Sequence, residues 1–359
     1  MSDMVVIGGG IVGASAALFL AQAGASVTLL EADAIAAAAS GRNAGSIQHP
    51  MDAARAELYE ESVAIHRRLG VIGDEAAGLL VVGPDAGAAV AGAAAFATLR
   101  AEPLDAGALR AVEPELAEGL SGVLVHGTGY PAHPAAATRR LADEARALGA
   151  SIVEGARAVP EVVGGRVVGA RAGDGTLHGA DRVLIAAGPW SSALADPSGA
   201  WSPVSALWGV TVQVALPPGH DVRHRIEEWD EPFDAGVQFE ATPLDDVTVL
   251  GASRTVETPD EAAYAAAILS RAARFLPIVA ASRTVKTATC ARPVTPDGLP
   301  LLGPVPGVEG LHVAAGHGPY GISLGPASGR IAADLLLDRA TVPAAFATDR
   351  PSLGAGARA

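Results

Sequence analysis

Apolar residues in this chain come in short unbroken runs, separated by alanine-rich helical stretches, with glycine at nearly every transition. Residues 4–7 form a run of strand type, ended by Gly8, Gly9 and Gly10. Residues 11–23 read as a buried, alanine-rich helix stopped by Gly24. The run Ser26–Leu30 is a second strand, closed by the acid Glu31. Strand, glycine turn, helix, strand and acid make a βαβ unit.

Further along, residues 52–69 predict an amphipathic helix, with Leu58, Ile65 and Leu69 apolar among charged positions. Residues 78–82 read as a strand, and 86–110 as helical in pieces. Residues 131–148 predict a helix with Pro134 early and Gly149 at its end. Short strands are expected at 151–153, 161–163, 166–172 and 182–186, between glycine turns. Beyond Pro203 short β-runs dominate (210–216, 237–241 and 247–250), and Trp201, Trp208, Trp229 and Phe239 concentrate there. A helix over 260–275, a strand over 311–315 and a helix over 325–337 complete the pattern, and 346–359 read as a loose tail.

Composition narrows the class. With 359 residues, 50% hydrophobic and 18% charged, the chain can bury one large core or two coupled ones, which excludes disorder as its main state. A net charge of −14 excludes nucleic acid and anionic membrane as expected partners, so an anionic substrate needs a local cation. Lys286 is the only lysine and Cys290 the only cysteine. One thiol excludes an intrachain disulfide framework and a multi-cysteine metal site, and a reducing, cytoplasmic location is expected. No metal is expected: no zinc signature is present, and His220 and His224 follow Pro217, Pro218 and Gly219 rather than lying on a helix. The 27 uncharged residues between Asp3 and Glu31 could span a bilayer, but four early glycines, a polar Gln22 and the lack of a basic start favour the βαβ reading.

The glycine turn carries chemistry. In Gly8-x-Gly10-x-x-Gly13, the first glycine permits the turn and the second lets the backbone approach a pyrophosphate. The third lets helix and sheet pack closely. Ile11 and Val12 open the helix, whose N-terminal N–H groups favour an anion. Glu31 is placed to accept both hydroxyls of an adenosine ribose and would repel a 2′-phosphate, which disfavours NADP.

Three further motifs follow in order. One runs from Ser40 through Arg42, Asn43, Ala44, Gly45 and Ser46. Another is the strand ending in Ala186, Ala187, Gly188, Pro189 and Trp190. The last joins Ala291-Arg292-Pro293 and Thr295-Pro296-Asp297 to the loop Gly316-His317-Gly318-Pro319-Tyr320-Gly321. Together they resemble the D-amino-acid-oxidase-type family of FAD-dependent amine oxidoreductases, from residue 5 to about 337 and faintly between 76 and 129. The resemblance implies that Ser40, Arg42, Asn43, Ala44, Gly45 and Ser46 wrap the pyrophosphate and flavin, with Ala32 beside Glu31 and a Val159 backbone group at the adenine. Ala187, Gly188 and Trp190 would lie near the diphosphate. Gly316, His317, Gly318, Tyr320, Gly321, Ile322 and Ser323 would line the flavin's N1–C2 edge, His317 through its backbone.

Arg292 is the expected substrate anchor, since a planar guanidinium forks onto a carboxylate; the other reading is a surface arginine in a Pro-rich loop. Related enzymes carry a second arginine where this chain has Pro319, so Tyr320 stands as a replacement hydroxyl. The usual Pro-Val-Arg/Lys-Gly stretch is replaced by Pro203-Val204-Ser205-Ala206, which leaves the substrate side chain open. His49, directly after the flavin loop, is a candidate to face the pocket or to be structural. Cys290 stands where sarcosine-oxidase-like enzymes bond the flavin covalently. Non-covalent FAD is favoured, and a small buried hydrophobe is the alternative role for this thiol.

The implied fold is α/β: a Rossmann-like FAD-binding domain (1–75, 130–198 and 288–345) and a mixed-sheet substrate domain (76–129 and 199–287). The implied reaction is oxidation of a small amine or amino acid (glycine, D-amino acid or N-methyl amino acid class) to the imine, by hydride transfer to flavin N5. Oxygen, a quinone or another acceptor would reoxidise it. A hydroxy-acid dehydrogenase on the same scaffold and the flavin subunit of a hetero-oligomeric amine oxidase remain alternatives. Lys286 lies too close to Arg292 in sequence to reach the place where sarcosine-oxidase-like enzymes hold a lysine over the flavin. Arg254 is the substitute cation.

Overall fold

The Asp3–Ile7 strand is central to a six-stranded sheet, ordered Leu301–Pro304, Leu311–Ala315, Arg182–Ile185, Asp3–Ile7, Ser26–Leu30, Ser151–Val153. All its neighbours pair in parallel except the Leu301–Pro304 edge. This computed structural model describes residues 3–84, 96, 98–229 and 236–354. Apolar residues on both faces of the sheet are buried, as its unbroken apolar strands require. One face is covered by the helices Ile11–Gln22, Ala53–Arg68, Pro134–Ala147 and Gly321–Leu336. The other carries Trp201 and the three-stranded antiparallel sheet of Ala158–Val163, Arg166–Ala172 and Leu177–Gly179.

The helices Ile11–Gln22 and Gly321–Leu336 cross closely because small residues line the crossing. A Cβ on Gly329 would sit 2.8 Å from the Val12 carbonyl, and one on Gly325 2.6 Å from Ile11. The second helix starts at Gly321, four residues before the expected start at 325, with Pro326 inside it. Pro326 has no N–H for the carbonyl of Ile322, one turn back. His66, from the facing helix, supplies the missing partner: its Nε2 lies 2.9 Å from that carbonyl. Ser62 on the same helix accepts from the Ala327 N–H at 3.1 Å.

A mixed eight-stranded sheet stands beside this unit, ordered Arg283–Val294, Ser205–Ala215, Val247–Ser253, Val237–Leu244, Arg225–Glu228, Leu79–Gly83, Ser121–Val125, Ala101–Leu104. One face buries Val210, Val212, Val214, Ile226, Phe239 and Ala241 against the helix Glu261–Phe275. Strand alternation therefore turns Gly209, Thr211, Arg225, Glu227, Glu240, Cys290 and Arg292 to the opposite face.

Several expectations need correction. Within 86–110, residues 101–104 are an edge strand. Pro103 lacks the donor a helix needs and is tolerated at an edge. Residues 85–95 and 97 of that stretch lie outside those described. The segment around Arg292 is not a loop, and the expected boundary at 288 falls inside a strand, because Arg283–Val294 pairs with Ser205–Ala215 along its length. The tail is not loose as far as Gly354: Phe346, Arg350 and Leu353 are buried, and Arg350 forks onto Asp297 at 2.7 and 2.9 Å. Among the described residues, no helix is long and apolar enough to cross a membrane.

Candidate active site

A cavity of about 670 Å³ runs from the carboxyl ends of the parallel strands to the polar face of the large sheet. At one end Glu31 holds its place by accepting from the Gly9 N–H at 2.5 Å and the Asp33 N–H at 2.9 Å. Ala32, Asp33, Arg157 and Ala158 complete that end. In the middle stand Gly8, Gly10, Ile11 and Val12 at the helix N-terminus, faced by Ser40, whose Oγ accepts from the Ile11 N–H at 2.9 Å. Gly8 (φ +114°) has no room for a side chain: a Cβ would lie 2.5 Å from the Ala186 carbonyl oxygen. Gly13 faces away, against the Gly8 carbonyl, so it serves packing. The far end is walled by Trp208, Cys290, Arg292, His317 and Ile322.

The loop after the second strand is held by its own side chains. Asn43 donates to the Ala39 carbonyl at 3.0 Å and accepts from the Gly45 N–H at 2.9 Å. Gly45 (φ +73°) lets the backbone pass close to the Ala132 carbonyl. Of the expected contacts, Arg42, Asn43, Ala187, Gly188, Trp190, Gly318 and Gly321 also reach the cavity wall. Ala44, Gly45, Ser46, Gly316, Ser323 and Tyr320 are not on that wall, and Ser323 instead accepts from the Gln48 N–H at 2.9 Å. The side chain of Val159 points outward, and its neighbours Arg157 and Ala158 take the wall position.

His49 is not on that wall. It is buried edge-on against Tyr59, its Nδ1 accepts from the Met51 N–H at 3.1 Å, and burial pulls its pKa down. His317 is buried and bonded to the Ser328 hydroxyl at 2.8 Å; burial brings its pKa to about 4, so it is neutral at pH 7. Burial also pushes the Cys290 thiol up, and its sulfur lies 3.9 Å from the Arg42 carbonyl. Tyr320 packs beneath the Arg55 guanidinium at 4.6 Å, and burial raises its hydroxyl to about 12.

Arg292 lies flat over Gly209, its Nη1 donating to the carbonyls of Ser253 at 3.0 Å and Trp208 at 3.5 Å. Three and four strands further on in the sheet is a group that no sequence motif announced. Arg225 Nη2 bonds Glu227 at 2.7 Å and Glu240 at 2.6 Å, and its Nε reaches Gln48 at 3.3 Å. Burial holds the Glu227 carboxyl above its ordinary pKa, against the pull of Arg225. Glu240 ends below its ordinary value: burial raises it, but Arg225, Arg292 and Arg254 outweigh that. The signal lay in the strands, where Arg225, Glu227 and Glu240 alternate with Ile226, Phe239 and Ala241.

An elongated cavity with a ribose-type acid at one end, a helix N-terminus in the middle and apolar walls beyond fits FAD. Residues 3–335 match the family model described as DAO, FAD dependent oxidoreductase. A glycine oxidase of Pseudomonas aeruginosa is 33% identical over 196 residues, covering 51% of this chain and 50% of that protein. The chain thus spans about half the length of that relative, whereas a glycine oxidase of Bacillus licheniformis is 25% identical over 93% of both chains. The crystal structure of glycine oxidase from Bacillus cereus superposes with a TM-score of 0.83 at 26% identity, covering 95% of this chain and 96% of that one. Fold, cavity and these likenesses agree: the chain belongs to the DAO family of FAD-dependent oxidoreductases.

Proposed function

We propose that the chain oxidises a small amino acid or related amine to its imine, with Arg292 as the carboxylate anchor. The observation that carries this is Arg292 itself, on the cavity wall beside Cys290, with Nη1 committed to two backbone carbonyls. Those bonds fix the guanidinium plane and leave Nε and Nη2 as the edge for a carboxylate. Bound FAD supplies the two-electron acceptor. The protein's share is position and electrostatics: Glu31 and the helix N-terminus hold the dinucleotide, and the start of the Gly321–Leu336 helix places its positive end near the far wall.

In this reading the parallel-sheet portion holds the cofactor and the eight-stranded sheet presents the substrate. The imine leaves and is hydrolysed by water to the carbonyl compound and ammonia or an amine. An anaerobic screen of amines, glycine and D- and L-amino acids tests it by loss of flavin absorbance. At least one amino acid should bleach the flavin; bleaching only by hydroxy acids would overturn the proposal.

A further inference from the structure

We propose that Glu227 and Glu240, bridged by Arg225, receive a second cationic group of the substrate, which makes that substrate a basic amino acid. The inference deepens the reading above and rests on Arg292 as the carboxylate anchor. Glu227 and Glu240 are directly paired across neighbouring strands, and both accept from the same nitrogen of Arg225. Fully ionised, the three groups carry one net negative charge. Arg225 keeps only 4% of its side chain exposed, while Glu227 and Glu240 keep 25% and 16%. The two carboxylates thus keep part of their surface free, beside rather than on the wall of the cavity that Arg292 lines.

A second observation lies beside them. Thr242, two residues along from Glu240 and on the same strand face, is fully buried, and its hydroxyl has no hydrogen-bond partner. Ser46, two residues before Gln48, likewise has a buried hydroxyl without a partner. Buried polar atoms are nearly always paired, so these two orphaned hydroxyls mark hydrogen-bonding capacity that the protein itself leaves unused. An ammonium carries three donors and no acceptor, which matches two acceptor-only carboxylates.

The floor between this group and Arg292 is low, with the small side chain of Thr211 next to two glycines. Gly209 and Gly251 occupy the sheet face there, and a Cβ on Gly251 would lie 3.7 Å from a Glu240 carboxylate oxygen. Arg292 leans over one glycine and Glu240 over the other, so a short chain with a carboxylate at one end and a cation at the other can lie across them. Further charges facing the group are Arg254 beside Glu240, and Arg55 and Asp52 on the Tyr320 side. They surround it with both signs, so the pairing is set by contact rather than by a general field.

The test uses the holoenzyme and racemic pairs of equal length: ornithine against norvaline, and lysine against norleucine. The expected result is a kcat/KM at least tenfold higher for the basic member. That ratio should fall about tenfold in Glu240→Gln and in Glu227→Gln, each of which leaves one carboxylate on Arg225. No preference in the parent, or a ratio unchanged in both variants, overturns the inference. In parallel, 1,4-diaminobutane should raise the melting temperature of the parent more than butylamine does, and less so in both variants. If no amino acid bleaches the flavin but this shift holds, the oxidation reading fails and the cation site stands. If bleaching occurs and neither the ratio nor the shift appears, the reverse follows.

Discussion

The His66 ring donates to the carbonyl of Ile322, the one that Pro326 leaves without a helical partner. A side chain from one helix thereby repairs the backbone of another, where the helix passes the cavity wall. The repair requires a proton on Nε2; Nδ1 is buried without a partner. Burial brings the His66 pKa to about 4 against the pull of the Ile322 bond, so the ring is neutral at pH 7.

Stability should therefore depend on pH in a set direction. His66 and His317 both sit near 4 in the fold and at an ordinary 6.5 when unfolded. Their contribution is complete above about pH 6.5 and is lost as pH falls towards 4, because only the unfolded chain takes up the protons. Each group adds a slope of about 1.4 kcal/mol per pH unit. Urea unfolding at pH 7 and pH 5 should show a loss of about 2 kcal/mol per histidine, and His66→Gln should flatten the slope. A parent equally stable at both values would refute the assignment.

The purified protein should be yellow, and acid precipitation should release FAD into the supernatant. The Cys290 thiol is buried and held protonated, so it is poorly suited to attack a flavin. Cys290→Ser should keep its flavin. Colour retained in the acid pellet of the parent, and lost from it in the variant, would establish a covalent bond instead.

Arg292→Lys should retain flavin and lose the fork, lowering kcat/KM about tenfold or more, or about 1.5–3 kcal/mol. Gly209→Ala is a second way to the same loss. Its Cβ would sit 2.1 Å from Nη1 of Arg292, so the guanidinium must move off its two carbonyls. Full activity in either variant would show that Arg292 does not anchor the substrate.

The N-terminal βαβ unit was legible because its signals are local: an apolar strand, Gly8 to Gly13, an alanine-rich helix and Glu31 lie in one stretch. The cofactor loops were legible for the same reason. The start of the last helix was not, because Pro326 argues for a start near 325. Only a distant histidine makes the earlier start at Gly321 tolerable. The closing of the tail depends on Arg350 finding Asp297, 53 residues away, which no local pattern announces. Glu227 and Glu240 are paired by strand register, and registers between distant segments are set by tertiary packing.

Reoxidation is expected to be slow with oxygen and faster with a quinone or dye. Lys286 is exposed near the outer end of its strand, and the charge of Arg254 acts on Glu240. The cavity wall then carries Arg42 and Arg292 but no lysine, and their diffuse charge stabilises a superoxide-like anion less well, an effect worth about 3–4 kcal/mol per group elsewhere. Stopped-flow mixing of reduced enzyme with air-saturated buffer measures it. Reoxidation as fast as substrate-driven reduction would make the enzyme an oxidase.

The strand Arg283–Val294 carries both Cys290 on the cofactor wall and Arg292 at the proposed anchor. Two residues along a strand span about 6.6 Å, and inserting one residue would turn both side chains to the opposite face. That strand works as a fixed gauge between redox centre and substrate carboxylate. Laboratory evolution towards new substrates should then leave it untouched. Accepted changes would gather instead on Arg225–Glu228 and Val237–Leu244, where a new side-chain partner can be tried without moving the atoms that react.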